Sequence, residues 1–109
     1  MSSVEIANLI HAQATCEGTG DAYIQQVGFT GPFVRASAGV YTLTLAVPLG
    51  ARALGNALVL CGTSEPRVAQ ARLDGVDGST VEVVLLDAAG VAADTTHLSV
   101  LVVRMPTIG

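Results

Sequence analysis

At 109 residues, 50% hydrophobic and only 13% charged, the chain is the length of one domain and carries an unusual apolar surplus. Its formal net charge is −4, lysine is absent, and Arg35, Arg52, Arg67, Arg72 and Arg104 are scattered, so no concentrated positive surface offers itself to nucleic acid. A mean hydropathy of +0.58 would suit a membrane protein. However, the longest near-apolar runs are only about eight or nine residues, short of the roughly 20 a spanning helix needs, so no membrane partner is expected.

The chain opens on "MSSVEIANLI", which has an early Glu5 and no basic start, and so does not read as a secretory signal. Ser2 and Glu5 have the spacing of a helical capping box, a rival to an extended start. From Ile10 onward the pattern changes. Ile10, Ala12, Ala14 and Cys16 alternate with His11, Gln13 and Thr15, which predicts a strand. Residues 1–9 are therefore read as an N-terminal arm of undetermined conformation, and 10–109 as the folded domain.

Turn signals then recur at close spacing: "EGTG" (17–20), "FTGP" (29–32), "SAG" (37–39), "PLGA" (48–51), "CGTSEP" (61–66), "LDGVDG" (73–78) and "DAAG" (87–90). Short segments of strand composition lie between them. They predict strands near 10–16, 22–29, 33–37, 40–47, 56–61, 67–73, 79–86 and 97–105. Eight or so short strands with no long apolar periodicity of helical type mean an all-β fold, a two-sheet sandwich or barrel. The β-branched runs "STVEVVLLD" and "HLSVLVVRM" resist helix most strongly.

Two strands raise a question about cover. In "VYTLTLAV" the residues Tyr41, Leu43, Leu45 and Val47 share one face and predict a core, while Val40, Thr42 and Thr44 share the other, which is dry for a face meant only for water. In "LSVLVVRM" both faces are apolar through the middle: Leu98, Val100 and Val102 on one side, Leu101 and Val103 on the other. A small domain has limited interior. The economical cover is a second copy of the chain, so Val40, Thr42, Thr44, Leu101, Val102 and Val103 are the candidate subunit-interface residues. A single sheet holding both strands is expected to pack around the symmetry axis.

"GVYTLTL" (39–45) and "VEVVLLDAAGVAADTTHLSVLVVR" (81–104), preceded by "HAQATCEGTGDAYIQQVGFTGPFVRASA", resemble the compact jelly-roll modules of tailed-phage virion proteins. These modules look related in design to the tumour necrosis factor and complement globular-head family. The resemblance runs from about Ile10 onward and implies a trimer-forming jelly-roll sandwich serving as a virion surface element, assembled in the bacterial host cytoplasm. Met1 falls a few residues before the first strand and no coiled-coil or collagen-like stalk is seen. A capsid decoration protein, seated on the major capsid protein or another virion protein, is therefore expected over a tail-fibre tip that recognises host-surface glycan.

Chemistry is sparse. His11 and His97, even with Asp94, lack the short spacing of a metal site, and "DGVDG" lacks the third oxygen position and terminal glutamate of a calcium loop. Asp74, Asp77 and Asp87 sit at turns, where an Asp caps its own backbone. No "GxSxG" occurs, and Cys16 with His97 or Ser64 with His11 would need the fold to bring them together. The expectation is a non-enzymatic protein with no catalytic residues, no metal and no cofactor. Cys16 and Cys61 have neither metal nor redox spacing and read as reduced, buried thiols.

Overall fold

The computed structural model describes residues 10–20, 22–50, 57–74 and 78–104. Eight strands form within them: β1 (Ile10–Glu17), β2 (Tyr23–Val27), β3 (Phe29–Ser37), β4 (Val40–Leu45), β5 (Ala57–Thr63), β6 (Val68–Asp74), β7 (Thr80–Leu86) and β8 (His97–Arg104). They make two four-stranded antiparallel sheets, ordered β2-β1-β8-β5 and β3-β4-β7-β6. We refer to them as sheet A and sheet B. The protein is an all-β sandwich. The pairs β1–β2, β3–β4 and β6–β7 are successive neighbours within one sheet; the other four connections cross between sheets.

Alternation places the core. Ala12, Ala14 and Cys16 from β1 and Leu98, Val100 and Val102 from β8 point inward from sheet A. Tyr41, Leu43 and Leu45 from β4, Val81, Val83 and Leu85 from β7, and Phe33 from β3 meet them from sheet B. The four aromatic side chains of the chain form one chain of ring contacts: Tyr23–Phe29 at 6.1 Å, Tyr23–Phe33 at 5.9 Å and Phe33–Tyr41 at 5.4 Å. Centroid separations in this range give a favourable quadrupole contribution beyond the area buried.

The boundaries fall where alternation breaks. The segment "FTGP", expected as a turn, instead lies inside β3, where the register shifts between Thr30 and Val34 and Gly31 takes a positive φ of 69°. It is an irregularity in a strand rather than its end. The chain passes from sheet A to sheet B one residue earlier, at Gly28, whose φ is +88°. A Cβ there would lie 2.8 Å from the His11 carbonyl oxygen and 2.9 Å from the Ala12 Cβ, so only glycine makes this switch without displacing β1. Val47 lies beyond the end of β4 and is exposed, so it does not join the core face.

Candidate functional site: an uncharged outer face and a hydrogen-bonded end

Strand pairing fixes which residues share the outer face of sheet A. Val27, Gln13, Leu101 and Leu60 lie side by side in one row, and Gln25, Thr15, Ser99 and Gly62 in the next. Ile10, Val103 and Leu58 form a third row, because a register shift between Ile10 and Ala12 turns Ile10 outward. None of these eleven positions carries a charge. Leu58 and Leu60 remain 46% and 48% exposed, and Val27 62%. At four strands of about 4.8 Å spacing and three rows about 6.8 Å apart, the face measures roughly 19 by 20 Å. Among the described residues, ionisable side chains stand beyond its rim, as where Glu17 pairs with His97.

The outer face of sheet B is different. Val34, Thr42, Glu82 and Arg72 form one row, and Thr30, Thr44, Thr80 and Asp74 another. Arg72 and Glu82 make an ion pair at 3.1 Å. Val40 sits beside Val84 and Gln70. This is a mixed face with solvated charges.

The six candidate interface residues are therefore divided. Leu101 and Val103 lie half-buried on the outer face of sheet A; Val40, Thr42 and Thr44 lie half-buried on the outer face of sheet B, across the thickness of the sandwich. Val102 is 0% exposed and belongs to the core. No single sheet holds both strands, since β4 and β8 belong to different sheets. Sequence alternation gives which residues share a strand face but not which sheet a strand joins. It also left out Leu58 and Leu60. The signal was present: in "ALVLCGT" both alternating sets are apolar, as in the last strand.

One end of the sandwich holds a dense polar cluster. Asp94 accepts from Arg35 Nε at 3.0 and 2.9 Å, pairs with Arg35 Nη2 at 2.7 Å, and accepts from the Gly39 N–H at 2.7 Å and the Tyr41 hydroxyl at 3.0 Å. The same Tyr41 hydroxyl lies 2.6 Å from the Gly18 carbonyl. Arg35 foremost, then Gly39 and Tyr41, hold the Asp94 carboxyl below the usual carboxylate range against the opposing cost of burial. Glu65 accepts from the Thr95 hydroxyl at 2.6 Å, from both the hydroxyl and N–H of Thr96, and from the Ser64 hydroxyl at 2.7 Å. These donors hold its carboxyl well below the ordinary range. Arg67 donates to the Asp94 carbonyl at 3.0 and 2.7 Å. Together these bonds pin the connection between β7 and β8. A saturated carboxylate has no lone pairs left for a substrate, so the cluster reads as a clasp.

The chemical pairings considered from sequence are not assembled. His11 Nε2 lies 2.7 Å from the Val47 carbonyl, at the start of β1, whereas His97 pairs with Glu17 at its far end. Cys16 faces the core, and His97 is exposed on the other side of sheet A. Ser64 lies beside Thr95 and His97, far from His11, and its hydroxyl is engaged by Glu65 and the His97 N–H. Asp87 caps its own turn, accepting from the N–H groups of Ala89 and Val91. Asp77 lies outside the described residues. Among the described residues no three His, Cys, Asp or Glu side chains converge on a metal position.

Both cysteines are free. They sit on β1 and β5 with β8 between, and Cys16 pairs with Leu98 whereas Cys61 pairs with Val100, so two strand spacings and a two-residue offset put their Cα atoms about 12 Å apart; a disulfide needs less than about 7 Å. Burial pushes the Cys16 thiol up to about 12, with the neighbouring Cys61 adding to it, and Cys61 up to about 11. The Tyr23 hydroxyl is buried with no hydrogen-bond partner among the described residues. No protein-family model, curated protein or solved structure matches this chain.

Proposed function

We propose that this chain is a non-enzymatic structural protein of a tailed-phage virion. In this reading it is a homotrimer that decorates the outside of the head, seated on the major capsid protein or another virion protein. The observation that carries the reading is the outer face of sheet A, an eleven-residue field without a charge on which Ile10, Val27, Leu58 and Leu60 are exposed in the monomer. Larger exposed apolar patches, especially when rimmed by polar residues, mark interaction sites. The threefold contact is assigned to this face, through Leu101 and Val103. The threonine face of sheet B, with its ion pairs, is left to water. No cofactor, nucleic acid or membrane enters the reading.

The alternative is a fibre tip that binds host-surface glycan, and it has one feature in its favour. An open trough of roughly 440 Å³ on sheet A is lined by Gln13, Thr15, Gln25 and Ser99, which could bond hydroxyl groups. Sugar rings are held chiefly by stacking on aromatic side chains. All four aromatics of this chain are committed to the core stack, so the decoration reading is preferred.

Copy number in purified particles tests it. Quantitative mass spectrometry against the major capsid protein should find hundreds of copies per particle. A handful would mean a fibre component, and none would end the virion reading. Sedimentation of the purified chain as a monomer at micromolar concentration would remove the trimer.

A further inference from the structure

Four strands form the edges of the two sheets, and three of them are blunted against further pairing. β2 has five residues and an irregular register against β1. β3 is interrupted by Gly31 and by two register shifts, and β6 carries Arg72 and Asp74. Short length, bulges and charge are the devices that keep sheet edges from joining other chains. β5 has none of them. It runs seven residues as "ALVLCGT", pairs with β8 without a register shift, and contains no charge and no proline.

The bonding pattern shows what this edge presents. Ser64 N–H donates to the His97 carbonyl, and Gly18 N–H to the Thr96 carbonyl. In an antiparallel ladder such bonded pairs recur every second residue. The even-numbered residues of β5 therefore bond to β8. The N–H and C=O groups of Ala57, Val59, Cys61 and Thr63 point away from it, along the free edge, and no described strand pairs with them.

We infer that β5 joins β5 of a second copy, antiparallel about a twofold axis through Leu60, making one continuous eight-stranded sheet. The occupant is a second copy because the strand is complementary to itself in that register. Val59 meets Cys61 and Ala57 meets Thr63 as bonded pairs, using every outward backbone group. On the outer face Leu60 meets its own copy at a non-bonded position, where side chains come closest. Leu58 meets Gly62, which lacks a side chain and lines the trough beside Leu60 and Ser99, so the leucine has space to enter. This contact is twofold and uses a sheet edge. It is separate from the threefold contact through the outer face and does not depend on the virion reading.

Two variants test it. Leu60→Lys places two ammonium groups side by side on the axis, at a residue outside the core. Light scattering should show the wild-type mass falling by a factor of two, with the circular dichroism spectrum of the folded sandwich unchanged. Leu60→Cys, in a Cys61→Ala background, places two thiols about 4.5 Å apart at the Cα atoms, within disulfide reach. Mild oxidation should convert most of the protein to a covalent dimer, while Val68→Cys on β6 in the same background should not crosslink. Crosslinking of Leu60→Cys no greater than that of Val68→Cys overturns the inference. A trimer mass unaffected by Leu60→Lys also overturns it, and leaves the proposed function standing.

Discussion

Leu101 and Val102 are adjacent, yet replacing each by Asp should have opposite consequences. Val102 is 0% exposed, between Ala12 and Val59 in the inner layer of sheet A. Removing its buried side chain costs about 1.5–3 kcal/mol. A carboxyl in its place must be protonated to stay buried, which at pH 7 costs about 4 kcal/mol for a group of ordinary pKa near 3.9. Burying the neutral group without a partner adds about 1–3 kcal/mol. The sum, about 7–10 kcal/mol, matches the whole stability of a domain this size, about 5–15 kcal/mol. Val102→Asp should therefore be largely unfolded at 25 °C by circular dichroism. Leu101 is half-exposed on the opposite face, so Leu101→Asp should cost about 1 kcal/mol in urea denaturation and instead reduce the mass measured by light scattering. A folded Val102→Asp, or an unfolded Leu101→Asp, would refute the assignment of faces.

Other expectations follow from the clasp and the core. Gly39 has φ +71° and a Cβ there would lie 2.6 Å from the Ala93 nitrogen and the Leu85 carbonyl oxygen, both backbone atoms. Gly39→Ala should cost about 2–5 kcal/mol, lowering the melting temperature by about 10 °C or more in calorimetry. The depressed Asp94 and Glu65 carboxyls contribute stability that is present above their unfolded values of 3.8 and 4.5 and is lost as pH falls through the folded ones. Denaturant midpoints should therefore drop below pH 4.5, and less steeply in Asp94→Asn. The raised thiols work in the other direction: their stabilisation is complete below pH 9 and is lost as pH rises toward 11 and 12. Alkylation at pH 7.5 should label Cys16 only on unfolding, and a native Cys16–Cys61 crosslink would contradict the strand order. Tyr23→Phe removes a buried hydroxyl without a partner and should leave stability unchanged or raise it by about 1 kcal/mol in urea titration.

Strand positions were legible in the sequence because a strand with one buried face alternates, and alternation is local. Tyr41, Leu43 and Leu45 were identified as core from that pattern alone, and all three are buried. The order of strands in each sheet was not legible, because pairing is a long-range choice that leaves no period. That is why β4 and β8 were expected in one sheet and lie in two; Val102 stood among the interface residues because both faces of its strand are apolar. The clasp was not legible: Arg35 reaches Asp94 across 59 residues of sequence and Thr95 reaches Glu65 across 30, and such pairings leave no local pattern.

The position of β8 also constrains how the molecule comes into being. In sheet A, β5 touches no strand but β8, and β1 reaches β5 only across it. β8 comes last of the eight described strands, 34 residues after the end of β5. A ribosome adding about 5–20 residues per second exposes β5 some seconds before its partner exists. During that interval "ALVLCGT" has two open edges and no charge, the profile of a segment that joins other chains. The closing strand couples residues near opposite ends of the chain, from Ile10 to Val103, and such distant pairings form slowly. Yield of soluble protein should thus depend on synthesis rate and temperature more than the stability of the finished sandwich suggests.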